Sequence, residues 1–372
     1  MAESFEIRPF EECIEKIKYT TKIASQDFKE SGRFPIISQE EAFISGYWDN
    51  PEDVFHINKP VVIFGDHSRH IKYVDFDFVI GADGVKILSP VKSINAKYFY
   101  YFLKWLDIPS LGYSRHYKAL KEKSVKVFSE TCQQRIVDEL DLLTGIIDKK
   151  NAQLRDLDTL AQSIFYELFG DPITNEKGWP IKNVGEFADV TDYVANGSFA
   201  TLRENVSYTS EPDYAILVRL ADFSNAFDRR KFVYVDKHAY DFLAKSKLFG
   251  GEIIMSNVGS VGKSFICPDL GQPMSLAPNS IVIKTPNNIY SYACFQMPSF
   301  QLAIKGITSQ TALPKFNKTE FKKIKVICPP AEMQTRYEVR WKAIQGQRER
   351  IKASLKDAQA LLDSRMDYYF ND

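Results

Sequence analysis

Between residues 130 and 171 the seam positions recur at alternating spacings of four and three: Ile136, Leu140, Leu143, Ile147, Lys150, Leu154, Leu157, Ala161, Ile164 and Leu168. A shift of 201 residues yields Tyr337, Trp341, Ile344, Arg348, Ile351, Leu355, Ala358, Leu362, Arg365 and Tyr369. Neither 130–171 nor 331–372 contains a proline. A mean spacing near 3.5 keeps one seam on one side of a helix, as a coiled coil requires. The pattern predicts two long helices, each reaching roughly 60 Å at ~1.5 Å per residue. Because both halves run in the same order, an antiparallel pairing about a pseudo-two-fold is the simplest, with one globular domain at each end.

Outside those stretches the texture changes. Short β-rich runs (Pro60-Val-Val-Ile-Phe, Phe76-Asp-Phe-Val-Ile, Gly84-Val-Lys-Ile-Leu, Ile253-Ile-Met and Ser280-Ile-Val-Ile-Lys) are broken by Gly, Asp, Asn and Pro. Aromatic runs, Tyr98–Phe102 and Tyr290–Phe295, follow them. The chain is internally repeated: Gln133–Asp171 aligns without a gap on Gln334–Asp372, matching Gln133/Gln334, Gly145/Gly346, Leu160/Leu361, Phe169/Phe370 and Asp171/Asp372. Upstream, Val125-Lys-Val answers Ile324-Lys-Val, and Phe5-Glu-Ile-Arg answers Trp179-Pro-Ile-Lys. The expected fold is α+β (mixed α/β), with two pseudo-symmetric globular domains separated by two long antiparallel coiled-coil helices. The expected boundaries are 1–128 for the first domain, 129–171 for its helix, 172–328 for the second domain and 329–372 for the second helix.

Composition narrows the function. Lys+Arg and Asp+Glu both number 48, so the formal net charge is zero and charge must be read locally. The five cysteines (Cys13, Cys132, Cys267, Cys294, Cys328) form no CxxC pair and resemble the buried thiols of a cytosolic protein. No apolar signal-like region opens the chain, and no stretch approaches 18 continuous apolar residues. These features predict a soluble, cytoplasmic protein with no membrane partner.

The loudest motif, Asn257-Val-Gly-Ser-Val-Gly-Lys-Ser264, resembles a P-loop but starts on Asn rather than Gly. Phe265-Ile-Cys-Pro268 follows it and reads as a strand, where a phosphate-binding loop needs a helix N-terminus. A glycine turn that presents Ser260, Lys263 and Ser264 to a phosphate backbone, or a plain glycine-rich hairpin, fits better. No Asn/Asp-Pro-Pro-aromatic motif or glycine-rich adenosylmethionine loop is present, and Cys328-Pro-Pro-Ala is no substitute. His67 and His70 lack neighbouring ligands for zinc and read instead as hydrogen-bonding loop residues. No metal, cofactor or catalytic site is expected. Two basic clusters do recur at corresponding places: residues 113–126 and 315–325 each carry five Lys/Arg against one acid. Lys and Arg neutralise phosphates, while Arg, Asn and Gln can pair with base edges. The candidate DNA contacts are Arg69, His70, Arg115, His116 and Lys118 in the first half. In the second they are Ser260, Lys263, Ser264, Gln310, Lys315, Asn317 and Lys318.

Val62-Ile-Phe-Gly-Asp-His-Ser-Arg-His, Gly81-Ala-Asp-Gly-Val-Lys-Ile-Leu and Gly112-Tyr-Ser-Arg-His-Tyr-Lys-Ala-Leu-Lys resemble the target recognition domain of type I restriction-modification specificity subunits. Gly251-Glu-Ile-Ile-Met-Ser, the Asn257–Ser264 turn, Ser309-Gln-Thr and Pro329-Pro-Ala-Glu-Met-Gln resemble a second variant of that domain. The resemblance spans the domain–helix–domain–helix order; only the first junction, Ser129-Glu-Thr-Cys-Gln133, lacks the paired prolines. It implies a non-catalytic subunit whose two domains each read half of a split, asymmetric double-stranded DNA target. The helices would set the gap. Two methyltransferase (modification) subunits and motor-nuclease (restriction) subunits would be its partners. Two alternatives are an NTPase using Asn257–Ser264 and a coiled-coil scaffold without DNA specificity.

Overall fold

The computed structural model describes residues 4–82, 84–109, 112 and 114–371; Asp83, Tyr113 and Asp372, which belong to motifs quoted above, lie outside them. The chain divides into two compact units, Met1–Gln153 with Ile351–Asp372, and Leu154–Arg350.

The first unit contains β1 (Phe5–Pro9), β2 (Ile14–Glu15), β3 (Lys22–Ile23), β4 (Phe34–Ile37), β5 (Gly46–Trp48), β6 (Val54–Phe55), β7 (Val61–Gly65), β8 (Ile71–Val74), β9 (Phe78–Gly81) and β10 (Val85–Pro90). Helices α1 (Ala96–Trp105) and α2 (Tyr117–Lys121), strand β11 (Ser124–Phe128) and the first part of α3 (Glu130–Phe169) follow. Strand β1 pairs with β11, and an antiparallel sheet runs β2-β10-β7-β8. A further sheet runs β3-β9-β4-β5, with β6 also on β9 and with parallel pairing of β9 to β3 and β4.

The apolar run Val61-Val-Ile-Phe becomes a strand because both its faces are covered. Alternate side chains leave a strand on opposite sides. Val62, Phe64 and Leu88 pack with Tyr98, Phe99 and Phe102 of α1. Val61, Ile63, Val85 and Ile87 pack with Ile37 and Ile80 on the other side. With both faces dry, the strand carries no polar alternation.

The second unit repeats this plan. Its elements are the end of α3, β12 (Ile181–Asn183), α4 (Val184–Phe187), β13 (Asp189–Asp192), α5 (Phe199–Asn205), β14 (Ala215–Val218), α6 (Leu220–Ser224), β15 (Tyr234–Val235), α7 (Lys237–Phe242) and β16 (Lys247–Leu248). They continue through β17 (Ile253–Ser256), β18 (Ser264–Ile266), β19 (Met274–Leu276), β20 (Ser280–Lys284), α8 (Asn288–Gln296), α9 (Pro298–Gly306), α10 (Lys318–Lys322), β21 (Lys325–Ile327) and the start of α11 (Ala331–Phe370). The sheet order β13-β20-β17-β18 matches β2-β10-β7-β8, and β12-β21 matches β1-β11. Ile253, Met255, Ile281 and Ile283 face one cluster while Ile254 and Val282 face another, the same two-sided burial. The β15-β14-β19-β16 sheet is likewise mixed, with β14 parallel to β19.

Details recur as well. Asn95 caps α1 by accepting from the Lys97 and Tyr98 amides, and Asn287 caps α8 by accepting from the Tyr290 amide. Tyr98 Oη donates to the Lys126 carbonyl at 2.6 Å, and Tyr290 Oη donates to the Ile327 carbonyl at 3.0 Å. Each tyrosine packs on a phenylalanine from the end of a long helix: Tyr98 on Phe370 of α11 (5.4 Å between centroids) and Tyr290 on Phe169 of α3 (5.0 Å). The repeat match Phe169/Phe370 is thus a pair of equivalent core plugs.

The long helices follow the seam, whose twenty positions are all buried or half-buried, Lys150, Arg348 and Arg365 included. Within the first unit Glu139 of α3 meets Arg365 and Tyr369 of α11. Within the second, Asp158 meets Arg348 and the Ala161 carbonyl accepts from Tyr337, so rising numbers on one helix meet falling numbers on the other. The helices are antiparallel. Gly145 and Gly346 have open space where a Cβ would stand, so packing does not explain their shared presence.

The Glu139 carboxylate is held below its usual range by the Arg365 hydrogen bond first, with Tyr369 and the Arg365 charge adding to it against partial burial. A depressed carboxylate contributes stability above its unfolded value, and that contribution fades as pH falls through the folded one. Both side chains are about one-third exposed (34% and 32%), so screening limits the pair to at most ~1 kcal/mol. Glu139→Gln should therefore lower urea stability slightly at pH 7, and the gap to the parent should shrink as pH falls below the ordinary glutamate range. A gap that persists undiminished in acid contradicts this assignment.

Candidate nucleic-acid interface

In the first unit the interface is built on the β7–β8 turn. Gly65 N donates to the His70 carbonyl (2.9 Å) and Arg69 N to the Gly65 carbonyl (2.8 Å), with Arg69 in the left-handed region (φ 63°). Gln39 brackets the turn. Its side-chain carbonyl accepts from His67 N at 3.2 Å, and its backbone carbonyl accepts from the Ser68 hydroxyl at 2.5 Å. The segment holding Gln39 is itself pinned by Lys72, which is only 5% exposed and donates to the carbonyls of Ser38, Ala42 and Phe43. Burial holds the Lys72 ammonium below its usual pKa, and the carbonyls supply the acceptors a buried cation needs.

Asp66, 2% exposed, ties this turn to the 114–117 segment. Its Oδ1 accepts from Tyr117 N at 2.8 Å, and its backbone carbonyl accepts from His116 N at 2.8 Å and from His116 Nδ1 at 2.9 Å. The fold therefore brings Arg69 and His70 onto a segment bonded to the one bearing Arg115 and Lys118, and all four are exposed. Arg69 also donates to the Ile108 carbonyl at 2.7 Å. His116 departs from expectation. At 1% exposure, with its ring on the Asp66 carbonyl, it holds the loop together and offers no edge to an external partner.

The second unit builds the same device on the β17–β18 turn. Residues 257–263 lie between antiparallel strands, with Ser256 N donating to the Lys263 carbonyl (2.9 Å) and Gly262 N to the Ser256 carbonyl (3.0 Å). Gly259 and Gly262 take φ of 78° and 83°, a region glycine adopts without a steric cost. No helix follows, so the feature on which phosphate binding by a P-loop depends is missing from this turn. The turn is bonded to segment 309–316: Gly259 N donates to the Pro314 carbonyl (2.9 Å) and Phe316 N to the Asn257 carbonyl (3.1 Å), while Ser309 N on the Lys315 carbonyl (2.9 Å) closes the segment on itself. Phe316 N on the Asn257 carbonyl repeats His116 N on the Asp66 carbonyl. Phe316, like His116, is buried, at 4% exposure.

Ser260, Lys263, Gln310 and Lys315 are exposed on these two bonded segments. Lys263 Nζ lies 3.4 Å from Ser224 Oγ. Three other candidates are placed differently. Ser264 is 5% exposed inside β18, its hydroxyl accepting from Gln296 at 2.7 Å. Asn317 caps α10 by accepting from Glu320 N at 2.9 Å, and Lys318 is paired with Asp192 at 2.9 Å. Ser264 is thus buried, Asn317 stays exposed while its Oδ1 caps the helix, and Lys318 is half-buried in its ion pair. Asp66, Gln39 and Lys72, for which the sequence alone suggests no role, are the residues that hold the loops. A polar residue closing an apolar strand run, as Asp66 after Val61-Val-Ile-Phe-Gly and Asn257 after Ile253-Ile-Met-Ser, is the available signal.

Among the described residues no group of three or more His, Cys, Asp or Glu could hold a metal ion, and no helix is long and apolar enough to cross a membrane. All five cysteines are free, and burial pushes the Cys13 and Cys267 thiols up to about 11 and about 12, where they stay protonated.

Comparison with known proteins agrees with this geometry. The model of the type I restriction modification DNA specificity domain matches residues 175–337. Over 156 residues the chain is 30% identical to the type I restriction enzyme EcoR124I/EcoR124II specificity subunit of Escherichia coli, a match spanning 38% of this chain and 39% of that protein. The crystal structure of the type I restriction-modification system S subunit from M. genitalium superposes with a TM-score of 0.56 at 15% identity, covering 100% of this chain and 97% of that one. A chain from a structure describing complex assembly and conformational transition of the type I R-M system gives 0.51 at 12% identity, covering 98% and 96%. At such identities these two likenesses establish the fold. Residues 175–337 thus match the type I restriction modification DNA specificity domain, in a chain with the fold of the S subunits of such systems, in agreement with the resemblance read from the sequence.

Proposed function

We propose that this chain is the DNA-specificity subunit of a type I restriction-modification complex. Residues 1–128 and 172–328 are its two target recognition domains, each reading one half of a split, asymmetric duplex target. Helices 129–171 and 329–372 set the gap and carry two methyltransferase subunits, with motor-nuclease subunits completing the complex in the cytoplasm. The observation that carries this reading is the repeated device: the same sheet order twice, each time with a strand turn bonded to a second loop and exposed cations on both. A scaffold without DNA specificity has no need for matched loops, and the hairpin at 257–264 disfavours an NTPase. The chain itself turns nothing over in this account.

Arg115→Ala and Lys315→Ala, assayed as the assembled methyltransferase on duplex DNA, test the assignment unit by unit. Loss of a base-edge contact costs ~1–3 kcal/mol and relaxes the preference at one position; loss of a phosphate contact weakens all sequences alike and reduces the salt slope by about one. Because the halves are separate readers, each variant should alter its own half-site alone. Binding unchanged in both variants would remove these loops from the interface.

A further inference from the structure

Asn257 and Val258, which open the β17–β18 turn, also line a cavity of about 460 Å³. Its lip gathers large side chains left in water: Val194 is 43% exposed, Phe199 78% and Tyr208 53%. Apolar groups clustered around a concave site mark a binding surface, where scattered ones do not. Asn257 contributes to its wall, and its Oδ1 is buried with no hydrogen-bond partner, while its Nδ2 donates to the Phe316 carbonyl at 3.4 Å. An orphaned buried acceptor is costly, and a ligand N–H would relieve it. Arg203, also lining the cavity, is exposed.

Aromatic faces for stacking, one acceptor for an N–H and a cation for phosphate together describe a nucleotide whose base has left its stack. We propose that this cavity receives a base turned out of the bound duplex, so that the second unit reads one position of its half-site in a pocket and the others in a groove. The inference rests on the DNA-recognition reading above. The base comes from DNA because the cavity shares its wall with the candidate reading turn: Asn257 and Val258 lie within three residues of Ser260. A duplex held by Ser260 and Lys263 is therefore brought to the cavity mouth. Phe199 and Tyr208 supply the stacking surfaces, and Asn257 Oδ1 accepts from an amino or imino group on the base edge.

The test uses the full chain with its modification subunits on duplexes carrying the selected target. At each position of the half-site read by the second unit, the partner base is replaced by a mismatch, and separately 2-aminopurine is introduced. Groove reading makes a mismatch neutral or harmful everywhere. Extrusion makes it favourable at one position, tightening binding about tenfold because the unpairing is already done, and 2-aminopurine there brightens on binding. Phe199→Ala and Tyr208→Leu, which change exposed side chains, should abolish both signs at that position and leave the remaining positions read as before. Specific binding with no such position overturns the pocket while DNA recognition stands. Saturable quenching of tyrosine fluorescence by free deoxynucleosides, with no responsive DNA position, makes the cavity a free-nucleoside site and also overturns the proposal. Absence of any sequence-specific binding removes both this inference and the reading beneath it.

Discussion

Phe169→Ala is expected to cost the second unit ~3–5 kcal/mol, the usual range for truncating a fully buried phenylalanine. Phe169 is completely buried. It meets Phe165 at 5.0 Å, Tyr290 at 5.0 Å and Tyr337 at 5.9 Å, so its removal opens a cavity bounded by three other rings. Those rings come from α3, α8 and α11, and Tyr290 also fixes the end of β21 through its hydroxyl. None of them can close the gap without breaking that bond or moving a 40-residue helix. Since the chain has two units, unfolding need not be a single transition. The expected result in a urea or thermal titration is a transition that moves early in the variant, with Phe169→Leu between the two. Hydrogen exchange should assign the early transition to Leu154–Arg350. A Phe169→Ala protein with unchanged stability would show that the plug is not holding the core.

A second large effect concerns the gap between half-sites. Four residues inserted between Asp148 and Lys149, both exposed on α3, add about one helical turn, or ~6 Å. Duplex DNA rises 3.4 Å per base pair, so if the paired helices are the ruler the recognised gap should grow by one or two base pairs. The half-sites themselves should stay the same, because the candidate reading segments lie at residues 65–70, 114–118, 257–263 and 309–316. Four residues disturb the four–three seam less than an arbitrary length, although the coil unwinds locally. The check is to express the insertion variant with its methyltransferase and sequence the methylated sites. An unchanged gap at full activity would deny the helices this role, and altered half-sites would put the reading surface on the helices.

What was legible in the sequence follows from the range of the interactions involved. The helix seam is a local periodicity, and it survives intact because one face of each helix is covered along its length. The strands around Val61, Val85, Ile253 and Ser280 were visible as apolar runs. Two-residue strands such as β3, β6, β15 and β16 carry no periodic signal, and they owe their existence to neighbours that cover and pair with them. Among the candidate contacts, Arg115 and Lys118 are exposed as their charge suggests, whereas His116 between them is buried. Its partner, Asp66, lies fifty residues away, and no pattern within the basic cluster reveals that contact. Lys318 is drawn from the surface by Asp192, 126 residues upstream.

The central claim is that two separate domains each read their own half of a split target. Selection of bound duplexes from a random pool, using the full chain assembled with its modification subunits, measures this directly. The account predicts two short, dissimilar conserved blocks separated by a gap of fixed length with no base preference. Arg115→Ala should change only one block and Lys315→Ala only the other. A single continuous block, two identical blocks, or no enrichment above the starting pool would contradict it.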